Sequence, residues 1–142
     1  MTTGVKVGDS TRFAKTVGES DVYLFAGITG DFAANHVNEQ AMAETVFGRR
    51  FAHGALLLGY MSTCSSAMAH KAAANGGSGV PVSAAGPPVG RPAPPLGDTI
   101  TIDYVITEID SERRRATADV KVVNQKGEIV AVATHLLQWV GE

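Results

Sequence analysis

A carboxylate and an imidazole stand five residues apart in Gly27-Ile28-Thr29-Gly30-Asp31-Phe32-Ala33-Ala34-Asn35-His36-Val37-Asn38. On a continuous helix, side chains at that spacing point about 140° away from each other. On a strand, an odd spacing sends them to opposite faces. Asp31 and His36 therefore converge only if the chain bends between them, and a helix stop at Gly30 supplies a place to bend. A bent loop that closes an acid and a base around one small volume can bind and polarise a water molecule. The same residues also fit a plainer arrangement, an N-cap aspartate and a surface histidine in a loop. A second group follows at Phe51-Ala52-His53-Gly54-Ala55, entering a long predicted helix. Free backbone N–H groups and the positive dipole end at such a start favour developing negative charge. A glycine there allows close approach, so a carbonyl oxygen on the Gly54 or Ala55 N–H would be stabilised as an enolate. An ordinary helix start looks the same.

These groups need elements to position them. From Phe51 to Ala69 the chain carries no Asp, Glu, Lys or Arg. A helix from near Gly54 to about Ala74 would be roughly 30 Å long. Leu56, Leu57, Leu58, Tyr60, Met61, Cys64, Ala67 and Met68 cover more than one narrow stripe of it, so it wants burial on most sides. His53, Ser62, Thr63, Ser65 and Ser66 suit a core helix better than a membrane span. The wrapper lies downstream. Ile100, Ile102, Tyr104 and Ile106 alternate with Thr99, Thr101, Asp103 and Thr107, and Ala116, Ala118, Val120 and Val122 repeat the pattern. Period two is the half-buried strand signal. Asp110-Ser111-Glu112 and Asn124-Gln125-Lys126-Gly127 read as hairpin turns, and Ile129–Val140, apolar on both faces, as a central strand. The C-terminus is thus a three-strand antiparallel meander, with a further strand predicted at Thr11–Val17. Ser20 is placed to cap a helix through Ile28, and Asn38 a second from Glu39 to Phe47. All six prolines fall between Asn75 and Gly97, which predicts a long loop or irregular edge segment. Neither side of it could close a core alone, so residues 1–142 read as one α+β domain.

Composition removes several function classes. With 44% hydrophobic and 18% charged residues, the chain can bury a core and is no disordered tail. A net charge of −2 argues against a nucleic-acid binder that lives on counterion release. The single cysteine, Cys64, excludes an internal disulfide framework and a multi-cysteine zinc site, and reads as a small core residue. Met1–Lys6 lacks the apolar run of a signal peptide. A soluble, cytoplasmic domain with no membrane or nucleic-acid partner is expected. Arg113-Arg114-Arg115 reads as a polar hairpin rim, and His70 and His135 have no partner that spacing can name.

Taken in order, Gly30-Asp31-Phe32, His36, His53-Gly54 and Ser62 resemble the MaoC-like R-specific enoyl-CoA hydratases, a hotdog-fold family. That family's motif reads roughly Ser-Gly-Asp-x-Asn-Pro-Leu-His-x-Asp, followed by His-Gly at the start of the long helix. Pro94-Pro95-Leu96-Gly97-Asp98-Thr99 resembles the family's entry to the next strand, and the likeness covers about residues 8–140. It departs where Ala33-Ala34-Asn35 replaces Asn-Pro-Leu and Asn38 replaces the last aspartate. The resemblance implies a hotdog fold, an antiparallel sheet wrapped around a long central helix. It implies a lyase that adds water syn to a trans-2-enoyl thioester of coenzyme A or acyl carrier protein, giving the R-3-hydroxyacyl product. Asp31 and His36 would be the catalytic acid and base, Gly54 and Ala55 the oxyanion hole, with Ser62 and Asn35 orienting them. The acyl chain would run in an apolar tunnel along Leu57, Leu58 and Met61, with Arg49 and Arg50 meeting the coenzyme A phosphates. No metal or other cofactor is implied, since the thioester is itself the substrate. Hotdog proteins generally pair, so a homodimer or larger homo-oligomer is expected. A hotdog thioesterase and a non-catalytic acyl-thioester-binding subunit are the competing readings.

Overall fold

The computed structural model describes residues 2–86, 89–90 and 93–141. Its elements run β1 (Ser10–Thr16), α1 (Glu19–Thr29), α2 (Ala34–Val37), α3 (Glu39–Ala43), α4 (Gly54–Ala74), β2 (Val80–Ala85), β3 (Val89–Gly90), β4 (Thr99–Asp110), β5 (Arg115–Asn124) and β6 (Ile129–Val140). The strands form one antiparallel sheet in the order β1-β4-β5-β6-β2, and β3 pairs with β6 at Val132 and Ala131. The alternating residues behave as their period requires. Ile100, Ile102, Tyr104 and Ile106 of β4 and Ala116, Ala118, Val120 and Val122 of β5 are all buried. They pack on Leu57, Met61, Cys64, Met68 and Ala72 of α4 in a single core. Each large apolar side chain withdrawn from water there contributes about 1.5–3 kcal/mol. α4 has the predicted bounds, and β6 lies between β5 and β2 as a central strand. Among the described residues no helix is long and apolar enough to cross a membrane.

Of the two forms expected for the proline-rich segment, a long loop or an irregular edge, Val80–Ala85 takes the edge but as a regular strand, in full register with Val140–His135 and with Pro81 opposite Trp139. Proline lacks a ladder donor, and only at an edge can its nitrogen face away from the neighbouring strand at no cost. Pro87, Pro88 and Pro92 lie outside the described residues. At α1 the cap is Gly18, not Ser20, and its N–H donates to the Asp21 carboxylate at 2.8 Å. Gly30 ends that helix in the left-handed region at φ 81°, where a side chain would be strained. Asn38 does cap α3, accepting from the Ala41 N–H at 3.0 Å. That helix stops at Ala43, well short of Phe47. Thr45 turns its hydroxyl back onto the Met42 carbonyl, and Val46 is 98% exposed, so no burial supports a further turn.

Candidate active site

Past Gly30 the chain runs without regular structure through Asp31–Ala33, the Phe32 N–H bonding back to the Gly30 carbonyl, and then makes the single turn α2, which carries His36 inward. The bend does what the spacing demanded: Asp31 Oδ2 lies 3.9 Å from His36 Nε2. The Asp31 backbone N–H donates to the Thr29 hydroxyl oxygen at 3.3 Å, and Asp31 Oδ1 accepts from the Ala33 N–H at 3.3 Å. On the other side, the Phe51 N–H donates to the Asn35 carbonyl at 3.1 Å, tying α2 to the segment that enters α4.

The hydrogen bonds define the tautomers. His36 Nδ1 lies 2.8 Å from the Phe51 carbonyl, which can only accept, so Nδ1 carries the hydrogen and Nε2 presents a bare lone pair. That lone pair faces Asp31 and accepts from the Asn35 amide nitrogen at 3.1 Å. His36 is buried, while the Asp31 side chain is 52% exposed. Apolar side chains of this chain do not enclose Asp31, since Ile28 and Phe32 beside it are exposed.

A third side chain joins them. His53 stacks on His36 with ring centroids 3.8 Å apart, and its Nε2 lies 3.9 Å from Asp31 Oδ2. Asp31, His36 and His53 each place one ligand atom within 4.8 Å of the others. The His53 Nε2 hydrogen is spent on the Asp31 carbonyl at 2.9 Å, so that nitrogen offers the cluster no lone pair.

Gly54 and Ala55 open α4 and are exposed. Their N–H groups have no helical partner four residues back, and no side chain caps them. His53, the residue before them, fastens this mouth to the Asp31 loop.

Other candidate residues fall elsewhere. Arg50 is not a free cation: its guanidinium bridges Glu39 and Glu19, and only 13% of its side chain is exposed. With its charge matched by two carboxylates and its side chain folded in between them, it is not presented to a phosphate. Arg49 is exposed and lines a crevice with Pro94, Pro95, Asp98 and Lys126. Ser62 is exposed on α4 and makes no hydrogen bond to Asp31 among the described residues. Leu57 and Met61 are core side chains, and Leu58 is half-buried against that core. The carbonyl of Phe51 and the ring of His53 escaped sequence reasoning as parts of the site. A backbone acceptor leaves no trace in residue types, and a histidine in an apolar run gives no sign of its partner.

Residues 3–84 match the protein family described as MaoC like domain. Over 58 residues the chain is 50% identical to an (R)-specific enoyl-CoA hydratase of Rhodospirillum rubrum, which covers 41% of this chain and 40% of that relative's length. It is 33% identical over 112 residues to a 3-hydroxybutyryl-CoA dehydratase of Methylorubrum extorquens, covering 79% of this chain and 67% of that protein. Among solved structures, an (R)-hydratase from A. caviae involved in PHA biosynthesis superimposes with a TM-score of 0.83 at 21% identity, covering 98% of this chain and all of the other. That likeness fixes the fold as a hotdog, a curled antiparallel sheet around a central helix.

Proposed function

The chain belongs to the MaoC-like domain family, and from that premise we propose that it is an R-specific enoyl-CoA hydratase, reversibly a 3-hydroxyacyl-CoA dehydratase. The observation that carries this reading is the His36 tautomer. Its Nδ1–H is committed to Phe51, its bare Nε2 stands 3.9 Å from a carboxylate, and both sit beside unbonded helix N–H groups. In the hydration direction a water bridges Asp31 and His36. His36 Nε2 takes one proton from it, and the oxygen attacks C3 of the enoyl thioester. The C2–C3 π electrons pass to the thioester oxygen, where the Gly54 and Ala55 N–H groups stabilise the enolate, a single such donor being worth about 3 kcal/mol of barrier. As the carbonyl re-forms, the Asp31 carboxylate receives that proton from His36 across their short gap and delivers it to C2, so one water is consumed and both groups return to their starting forms. Both groups act from one face, which makes the addition syn, and the likeness to an (R)-specific hydratase supports the R configuration at C3. Asn35 leaves the base when water arrives and orients that water instead. No other cofactor takes part, because the coenzyme A or acyl-carrier-protein thioester is the substrate.

A homodimer with its sites at the subunit boundary completes the reading. Ile28 at 83% and Phe32 at 55% exposure flank the half-exposed Asp31, as a surface awaiting a second copy would. A cytoplasmic location belongs to the same reading. The test is direct. Purified protein mixed with crotonyl-CoA should abolish the conjugated-thioester absorbance without releasing free thiol. Asp31→Asn should cut the rate about 10²–10⁴-fold. Release of free thiol would mean a thioesterase, and an unchanged Asp31→Asn rate would refute the proposed site.

A further inference from the structure

The proposed mechanism leaves His53 idle, yet its ring is 2% exposed and surrounded by the machinery. One face stacks on His36 at 3.8 Å and 28°, and the Phe25 ring of α1 lies 4.8 Å away, tilted by 48°. Its Nε2–H donates to the Asp31 carbonyl at 2.9 Å, across 22 residues of sequence. Its Nδ1 is buried and meets no partner among the described residues. That blind nitrogen matters. A proton taken at Nδ1 has no acceptor to go to, so the ring is badly placed to relay protons between solvent and substrate. An apolar ring would fill the same space between Phe25 and His36. What distinguishes histidine here is the one hydrogen bond to Asp31.

That bond has an evident job. The other polar contacts of Asp31, to Thr29 and Ala33, are local and 3.3 Å long, and its carboxylate is half exposed. The His53 bond is the shorter, long-range tether, and it comes from a residue whose other neighbours are the base and the helix mouth. Resting on the hydratase reading above, we infer that His53 is a positioning residue that holds the Asp31 carboxylate in register with both His36 and the α4 N–H groups. Its loss should then appear in turnover rather than in substrate affinity, because misplacing reacting groups by about 1 Å can cost about 10²-fold in rate.

Two variants separate the hydrogen bond from the packing. His53→Phe keeps a ring against His36 without a donor. His53→Gln keeps an amide N–H four bonds from Cα, the distance of imidazole Nε2, without a ring. With crotonyl-CoA, His53→Phe should lower kcat about 30-fold with KM within about 3-fold, and His53→Gln should recover kcat to within about 3-fold of wild type. Amide hydrogen exchange of residues 30–36 should rise in His53→Phe and return toward wild type in His53→Gln. Wild-type kcat and exchange in His53→Phe would overturn the inference. So would equal damage in both variants accompanied by a fallen Tm, since packing alone would then explain the residue. If the wild-type protein hydrates no enoyl thioester, the hydratase reading fails, and the exchange measurement still decides whether His53 tethers Asp31.

Discussion

His36 and His135 are both nearly sealed from solvent, and they differ in everything that matters for chemistry. His36 leans on the Phe51 carbonyl, which defines its tautomer and turns a bare lone pair toward Asp31. His135 lies on β6 facing the core, 1% exposed, with neither ring nitrogen bonded among the described residues. The Tyr104 ring meets it edge-on at 5.6 Å, and the Tyr104 hydroxyl is unpartnered too. Burial pushes the His135 imidazole below its ordinary pKa, as expected where no partner supports the charged form. It likewise pushes the Tyr104 phenol up, beyond the usual tyrosine range. Depth in the fold therefore does not distinguish a working histidine from a costly one. The partner does.

The sharpest way to break this contrast is to remove the two imidazoles in turn. His36→Gln should lower the hydration rate about 10²–10⁴-fold at unchanged Tm, as loss of a general base does. His135→Leu should leave the rate alone; a comparable loss there would show that the core histidine also serves the reaction. The next effect is on stability. Replacing His135 with leucine removes a buried group that makes no hydrogen bond, and should raise unfolding free energy by about 1–3 kcal/mol in urea titrations at pH 7.5. The sign with pH follows from burial. The unfolded chain takes up a proton near pH 6.5 that the folded His135 refuses, so its share of stability is intact above that pH and lost as pH falls below it. Wild type should show this acid-side decline more steeply than His135→Leu; identical slopes would mean that another group carries it.

How much of this was legible in the sequence depends on the range of the forces involved. The β4 and β5 alternation and the bounds of α4 were readable because period and burial are local properties. The Asp31–His36 encounter was open in the spacing, which a capping aspartate and a surface histidine fit as well, and only the family motif singled it out. β2 was hidden by Pro81, which spoils a strand pattern everywhere except at an edge, and which strand becomes the edge is decided by the whole sheet. What the His135 and His53 rings would bond to was hidden for the same reason. Their partners, or lack of them, lie on elements distant in sequence.

The smallest effect sharpens the rule outside the histidines. Arg49 and Arg50 are adjacent and identical in type, yet only Arg50 is folded inward, where Glu39 and Glu19 hold its guanidinium. Those carboxylates hold its pKa above the ordinary arginine value, Glu39 contributing most. Both acids are more than half exposed, so solvent screens the pairs heavily, and Arg50→Ala should cost only about 1 kcal/mol of stability. Much of that loss reflects the tether between α1 and α3, the helices on either side of the segment that carries Asp31 and His36. Arg49→Ala should instead leave stability within about 0.5 kcal/mol, as exposed substitutions usually do. If its crevice meets the thioester carrier's phosphate, it should raise KM about 3-fold in low salt, an effect that fades as ionic strength rises. An Arg50→Ala enzyme with raised KM and unchanged stability would reverse the two roles, and with them the claim that an existing partner, more than residue type or depth, decides what a side chain is free to do.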